Sequence, residues 1–101
     1  MSLSIGRTDE NGKSTLALVG RLDTTTAPQL QDELMAALGE ANKIVLDFAE
    51  LDYVSSAGLR VLLMGQKTAA SKGASMVLMN VSEDIMEVLD MTGFSDMLTI
   101  V

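Results

Sequence analysis

The sequence predicts an α/β domain, a mixed β-sheet with helices packed against it, in the element order β-β-α-β-α-β-α-β. Two observations predict this class. Short apolar runs typical of buried strands alternate with segments whose apolar residues recur at helical spacing, and turn or cap residues separate them. Such alternation implies crossover connections, which are right-handed in the great majority of cases. The 101 residues suffice for one domain, 1–101, and an apolar fraction of 48% argues against disorder.

The first two strands are predicted to form a hairpin. Leu3-Ser4-Ile5 alternates in polarity, and Asp9-Glu10-Asn11-Gly12 has the composition of a turn. The second strand is predicted within Ser14 to Val19, and Gly20 is expected to end or kink it.

The first helix is predicted to start near Thr26. Thr26 and Gln29 fit a capping box, Pro28 is tolerated in a first turn, and Gly39 is a plausible stop. The inner face follows helical spacing and comprises Ala27, Leu30, Leu34, Ala37 and Leu38.

A buried strand is predicted over Lys43 to Phe48, followed by a second helix that begins at Ser55-Ser56 and closes at Gly73. The next buried strand is predicted over Met76 to Met79. The face shared by apolar residues of the second helix comprises Leu59, Leu62, Leu63 and Ala70.

The third helix is predicted to begin at Ser82-Glu83-Asp84, where acidic residues lie near the positive end of the helix dipole. Thr92-Gly93 is expected to stop it, and a last strand is predicted over Met97 to Val101. The inner face of this helix comprises Ile85, Val88 and Leu89.

Composition excludes several kinds of chemistry. The chain has no cysteine, no histidine and no tryptophan, and its formal net charge is −7. A disulfide framework, a thiolate zinc site, a cysteine nucleophile and a Ser-His-Asp triad are therefore excluded. The acidic balance and the scattered basic residues argue against nucleic acid as a partner.

The sequence also argues against a membrane location. No stretch approaches the roughly 20 apolar residues that span a bilayer, and the first residues lack the pattern of a signal peptide. A cytoplasmic location without membrane contact is the expectation.

Ser55 and Ser56 lie where a strand-to-helix loop should cap the second helix. A serine hydroxyl there can accept a hydrogen bond from a free backbone N–H of the first turn. The same N–H groups tolerate a negative charge, so a phosphate on such a serine would be stabilised locally. Spacing alone favours an ordinary, unmodified N-cap, and nothing in the residues themselves indicates that either serine is modified.

Four segments resemble the STAS domain family, which includes the anti-sigma factor antagonists. The run from Tyr53 to Leu63 is similar to the family signature, and Gly20-Arg21-Leu22-Asp23 is similar to an element after the second strand. Lys43 to Phe48 with Leu51 resembles the strand before the signature, and Leu89 to Phe94 resembles the late helix. The resemblance covers nearly the whole chain in the right order.

The resemblance implies an anti-sigma factor antagonist in a partner-switching pathway. Its unphosphorylated form would bind an anti-sigma factor that is also a serine kinase, and a serine phosphatase would reverse the modification. Ser56 matches the phosphorylated serine, and Ser55 stands where the family often has Asp, which makes Ser55 the alternative acceptor. The resemblance assigns partner binding to Asp23, Thr24, Ser55, Ser56, Ala57, Gly58, Leu59 and Arg60.

Two other functions are alternatives. One is a STAS interaction module of a lipid-transport complex or signalling scaffold, in which Ser56 is not phosphorylated. The other is an enzyme with a serine nucleophile, which no histidine could activate and no Ser-Lys motif supports. We therefore expect no enzymatic activity, no cofactor and no metal, although a carboxylate magnesium site at Asp47, Glu50 or Asp52 is conceivable.

The C-terminus departs from the family pattern. Many members add a helix after the last strand, whereas this sequence reaches Val101 within the predicted strand. Part of the sheet would then be uncovered, and self-association into a homo-oligomer is a further expectation.

Overall fold

The strands of the computed structural model, which describes residues 2–101, pair in the order β1-β2-β3-β4. The elements are β1 (Leu3–Glu10), β2 (Lys13–Leu22), α1 (Ala27–Leu38), β3 (Lys43–Val54), α2 (Ser56–Ser71), β4 (Ser75–Met79) and α3 (Glu83–Thr92). β1 is antiparallel to β2, whereas β2, β3 and β4 are mutually parallel. The predicted α/β class, with its mixed sheet and packed helices, is confirmed.

One continuous hydrophobic core lies between the sheet and the helices. Side chains alternate between the two faces of a strand, so every second strand residue points into this core. The fully buried strand residues are Leu16, Leu18, Leu22, Ile44, Leu46, Phe48, Met76 and Leu78. The predicted inner faces of α1 and α3 are largely confirmed, since all five α1 residues and Ile85 and Leu89 of α3 are buried.

The hairpin between β1 and β2 turns at Asn11-Gly12. Both residues have positive φ, 51° and 79°, as a two-residue type I′ turn requires. The turn lies inside the predicted segment, but both strands extend further than the sequence pattern suggested.

β3 contains two more residues than the part of β2 that it pairs with, because the register shifts twice between them. One shift falls at Gly20, which has φ 110° and lies within β2 instead of ending it. The shifts change the alternation of β3, so that Leu51 and Val54, three residues apart, are both buried. β3 therefore reaches Val54 and does not stop at Phe48.

The predicted capping box at the start of α1 is wrong. Thr26 is the N-cap residue, but its side chain makes no capping hydrogen bond. Its hydroxyl is already bonded to Arg21 and Asp23, as described below. Pro28 in the first turn and Gly39 at the C-terminal end are both confirmed.

The start and end of α3 follow the prediction. The Ser82 hydroxyl accepts a hydrogen bond from the Ile85 N–H at 3.2 Å, and Glu83 and Asp84 occupy the first turn. Gly93 ends the helix in the left-handed region, with φ 80°.

The predicted strand from Met97 to Val101 is reduced to a single bridge. A 3₁₀ turn over Phe94–Asp96 follows α3, and only Ile100 then pairs with Leu78 of β4. The observed order is thus β-β-α-β-α-β-α with a bridged tail. No helix within residues 2–101 has the length and hydropathy needed to cross a membrane.

Candidate functional site

The candidate site forms where β2 and β3 end side by side. Leu22 is paired with Val54, and the Ser55 N–H donates to the Leu22 carbonyl oxygen at 2.8 Å. The loop after Leu22 begins with Asp23, and the residue after Val54 is Ser55. The parallel strands thus bring the two predicted segments, Asp23-Thr24 and Ser55–Arg60, to the same edge of the sheet.

The Asp23 carboxylate organises the first loop. Its Oδ1 accepts hydrogen bonds from the Thr25 hydroxyl at 2.8 Å, the Thr25 N–H at 3.0 Å and the Thr26 N–H at 3.1 Å. These donors stabilise the charged form and hold the pKa of the Asp23 carboxyl below its usual value. Asp23 is therefore an anion of fixed position beside the start of α2.

Thr26 is a loop residue whose role the sequence pattern did not indicate. It is 6% exposed, its hydroxyl donates to the Arg21 carbonyl oxygen at 2.8 Å, and it accepts from the Asp23 N–H at 2.8 Å. A buried hydroxyl that satisfies two backbone groups fixes the path of the chain between them. Thr24, in contrast, is exposed.

The two adjacent serines have different roles. Ser55 is extended, with φ −93° and ψ 173°, and its hydroxyl accepts from the Gly58 N–H at 3.3 Å as the N-cap of α2. Ser56 is the first helical residue and is exposed, whereas Ser55 is half-buried. Ser55 thus caps the helix, and Ser56 presents its hydroxyl to solvent.

Gly58 and Leu59 are the buried residues that pack the start of α2 against the rest of the protein. Leu59 is 3% exposed, and a Cβ placed on Gly58 would lie 2.6 Å from Leu22 Cγ. The absence of a side chain at Gly58 lets α2 approach the end of β2 closely. Of the residues assigned to partner binding, Thr24, Ser56 and Arg60 are exposed, Asp23, Ser55 and Ala57 are half-buried, and Gly58 and Leu59 are buried.

Arg21 and Tyr53 form a neighbouring pair that the sequence reasoning missed. The Arg21 guanidinium carbon lies 4.2 Å from the centre of the Tyr53 ring, and Arg21 Nε lies 3.9 Å from Asp23 Oδ2. Their opposition on β2 and β3 depends on the register shift at Gly20, which no local sequence pattern indicates. The pair adds an exposed aromatic surface beside Asp23, since Tyr53 is 41% exposed.

A groove of about 280 Å³ runs from the site between α1 and α2. Its lining is largely apolar and carries no carboxylate: Thr24, Ala27, Pro28, Gln31, Ala57, Arg60, Val61 and Met64. Arg60 and Met64 also line a second hollow with Leu63, Lys67 and Thr68. We name the first of these, which both helices line, the α1–α2 groove.

Within residues 2–101, no three Asp or Glu side chains are grouped as ligands. The Asp47 carboxylate instead accepts from the Ala49 N–H and the Asn80 amide, each at 3.0 Å.

The sequence matches the model of a known protein family. The family described as "Mlab, STAS domain" matches residues 6–99, and the chain therefore belongs to the STAS domain family. The match includes both segments of the candidate site.

Two proteins similar to this chain are named as anti-sigma factor antagonists. A Bordetella bronchiseptica protein named as a candidate anti-sigma factor antagonist, BtrV, is 35% identical over 95 residues, which cover 93% of this chain and 80% of that protein. An anti-sigma factor antagonist from Mycobacterium paratuberculosis has a similar structure, with a TM-score of 0.88 at 20% identity, covering 98% of this chain and 85% of that one.

The anti-sigma factor antagonist SpoIIAA is similar in fold in two solved forms. The unphosphorylated form gives a TM-score of 0.81 at 17% identity, covering 99% of this chain and 88% of SpoIIAA. The phosphorylated form, from Bacillus, gives 0.75 at 18% identity, covering 99% and 91%.

Proposed function

We propose that this chain is an anti-sigma factor antagonist that is switched by phosphorylation of Ser56. In the unphosphorylated state it binds an anti-sigma factor with serine kinase activity, and that binding frees a sigma factor. The observation that carries the proposal is that the two serines have different structural roles. Ser55 is engaged as the cap of α2, while Ser56 is exposed on the same edge as Asp23.

Phosphorylation would act through charge. A phosphate adds about −1.5 to −2 charges at neutral pH. Asp23 stays ionised on the adjacent loop, so the partner would face a second anion where it had met a neutral hydroxyl. Repulsion and the cost of desolvating the phosphate would weaken the complex without any change of fold. A serine phosphatase would restore the hydroxyl and, with it, binding.

The relatives support the proposal at two levels. BtrV is named as a candidate anti-sigma factor antagonist, and SpoIIAA has been solved in phosphorylated and unphosphorylated forms. A protein of this fold can therefore be phosphorylated, and the exposed hydroxyl of Ser56 is the acceptor that we propose here. The nucleotide would be bound by the kinase, which makes this chain the substrate and not the enzyme.

The experiment is to isolate the protein from the cells that produce it and to map its phosphates by mass spectrometry. We expect a phosphate on Ser56 that is lost in Ser56→Ala and retained in a control, Thr24→Ala, which removes an exposed hydroxyl from the neighbouring loop. A phosphate found on Ser55, or persisting in Ser56→Ala, would overturn the site. A protein that binds its partners but is never phosphorylated would favour the scaffold alternative.

A further inference from the structure

The second helix differs in charge from the other two helices, which contain acidic and no basic residues. The chain carries 14 acidic and 7 basic residues, yet α2 contains Arg60 and Lys67 and no Asp or Glu. The residues lining the α1–α2 groove and the second hollow around Arg60 include no carboxylate. Within residues 2–101, the ion pairs formed by arginine involve Arg7 and Arg21 but not Arg60. Arg60 is therefore an exposed cation with no acidic partner in the described chain.

Arg60 lies one helical turn after Ser56. Residues four apart on a helix are neighbours, with Cβ atoms about 5 to 6 Å apart. Long helical side chains lean towards the N-terminus, so an arginine at position 60 can reach the turn that contains Ser56. Arg60 also lines the groove beside Thr24 and Ala57, which places it on the side of α2 that faces the Asp23 loop.

We propose that Arg60 is the intramolecular receptor for a phosphate on Ser56. The guanidinium would pair with the phosphate oxygens through charge-assisted hydrogen bonds, for which its planar fork is well suited. The phosphate would be the first anion on α2, and Arg60 the cation within one turn of it. This inference deepens the proposed function, because its biological meaning rests on phosphorylation of Ser56.

Pairing of Arg60 with the phosphate would change, in a second way, the surface that this protein offers to its partner. The unmodified protein offers a free cation at the mouth of the α1–α2 groove, where a carboxylate of the partner can pair with it. The phosphorylated protein offers a net negative pair at the same place. The switch thus removes an attractive contact at Arg60 as well as adding repulsion beside Asp23.

The test installs phosphoserine at position 56 genetically, which makes it independent of any kinase. The pKa of the phosphate, ordinarily about 6, is measured by ³¹P NMR titration. Pairing with Arg60 favours the dianion, so Arg60→Gln should raise this pKa by about 0.4 or more. Lys67→Gln is the matched control: it removes the other cation of α2, about 16 Å along the helix from Ser56, and should change the pKa by much less.

Arg60→Lys gives a further arm, because it keeps the charge and loses the fork, and its phosphate pKa should fall between those of the parent and Arg60→Gln. In 0.5 M salt the difference between parent and Arg60→Gln should shrink. Equal pKa values in the parent and Arg60→Gln proteins would overturn the inference, even if Ser56 is phosphorylated in cells. A clear difference would uphold it, even if mass spectrometry finds no natural phosphate on Ser56.

Discussion

Gly58 of α2 and Leu22 of β2 are in such close contact that a Cβ on Gly58 would lie 2.6 Å from Leu22 Cγ and 3.2 Å from the Leu22 carbonyl oxygen. This contact sets the distance between the loop that carries Asp23 and the helix that carries Ser56. The buried residue Gly58 therefore determines how closely the Asp23 loop and the start of α2 approach each other.

The replacement Gly58→Ala should destabilise the protein. Alanine is intrinsically better than glycine in a helix by about 1 kcal/mol, but overpacking costs about 1 to 3 kcal/mol, and the rigid backbone oxygen cannot move aside. We expect a net loss measurable by urea denaturation. Gly39→Ala is the control, because Gly39 has φ −75° and an added Cβ there would meet only ordinary contacts at 3.5 Å and beyond. Equal stability of the two variants would contradict the packing argument.

The replacement Ser55→Ala should lower stability by about 1 kcal/mol, because it removes the acceptor for the Gly58 N–H. Ser56→Ala should stay within about 0.5 kcal/mol of the parent, since its hydroxyl is exposed and caps nothing. The stabilities of the two variants are compared by thermal or urea denaturation under the same conditions. The reverse order of stabilities would show that the capping roles have been assigned to the wrong serine.

Thr26→Val should cost about 1 to 3 kcal/mol, although the two side chains have nearly the same shape. The Asp23 N–H and the Arg21 carbonyl would each lose the hydroxyl that bonds them in a buried position. Thr24→Val, which changes an exposed threonine two residues away, serves as the control and should be nearly neutral. Equal effects in chemical denaturation would refute a special role for the Thr26 hydroxyl.

Asp23→Asn should change how stability depends on pH. The pKa of Asp23 is lowered in the folded protein, mainly by hydrogen bonds from Thr25, so its charge stabilises the fold above the unfolded value of about 3.8. That contribution is lost as the pH falls through the lower folded pKa. The difference in Tm between parent and Asp23→Asn should therefore be constant from pH 5 to 7 and narrow below about pH 4. Parallel curves down to pH 2.5 would contradict this.

Ser56→Glu should weaken binding of the anti-sigma factor, measured by calorimetry, because it adds a charge beside Asp23. A change of tenfold or more corresponds to about 1.4 kcal/mol, within the range expected for like charges at an interface. Ser71→Glu adds the same charge to an exposed position at the other end of α2 and should leave the affinity unchanged. Equal affinities of the two variants would argue against a charge mechanism.

Most of the secondary structure follows from local patterns. The helices have long apolar periodicity, and α3 also has clear caps at Ser82 and Gly93, so local patterns are enough to predict where these elements lie. The end of β3 does not follow from local patterns, because the register shifts beside Gly20 break the alternation that identifies a strand. The prediction of a last strand over Met97 to Val101 was wrong for a different reason. Its residues are apolar enough to pair, but a 3₁₀ turn follows α3 and only Ile100 then forms a bridge, with Leu78.

The sequence predicted that the second helix begins at Ser55-Ser56, and α2 does begin at Ser56. That these two serines belong to a functional site rests on the family resemblance and is part of the proposed function. The sequence could not decide which serine caps the helix, since that depends on which one has extended backbone angles. The role of Thr26 and the contact of Arg21 with Tyr53 depend on tertiary positions and have no local signature.

The antiparallel pairing of β1 with β2 has a practical consequence for anyone who labels this protein. Leu3 lies opposite Gly20, and the Arg21 N–H donates to the Ser2 carbonyl oxygen at 3.2 Å, so β1 begins where β2 approaches Asp23. A tag or fusion partner attached at this end of β1 would lie beside the candidate site. Binding assays with such fusions would measure steric obstruction by the tag together with affinity, and labels are better attached elsewhere.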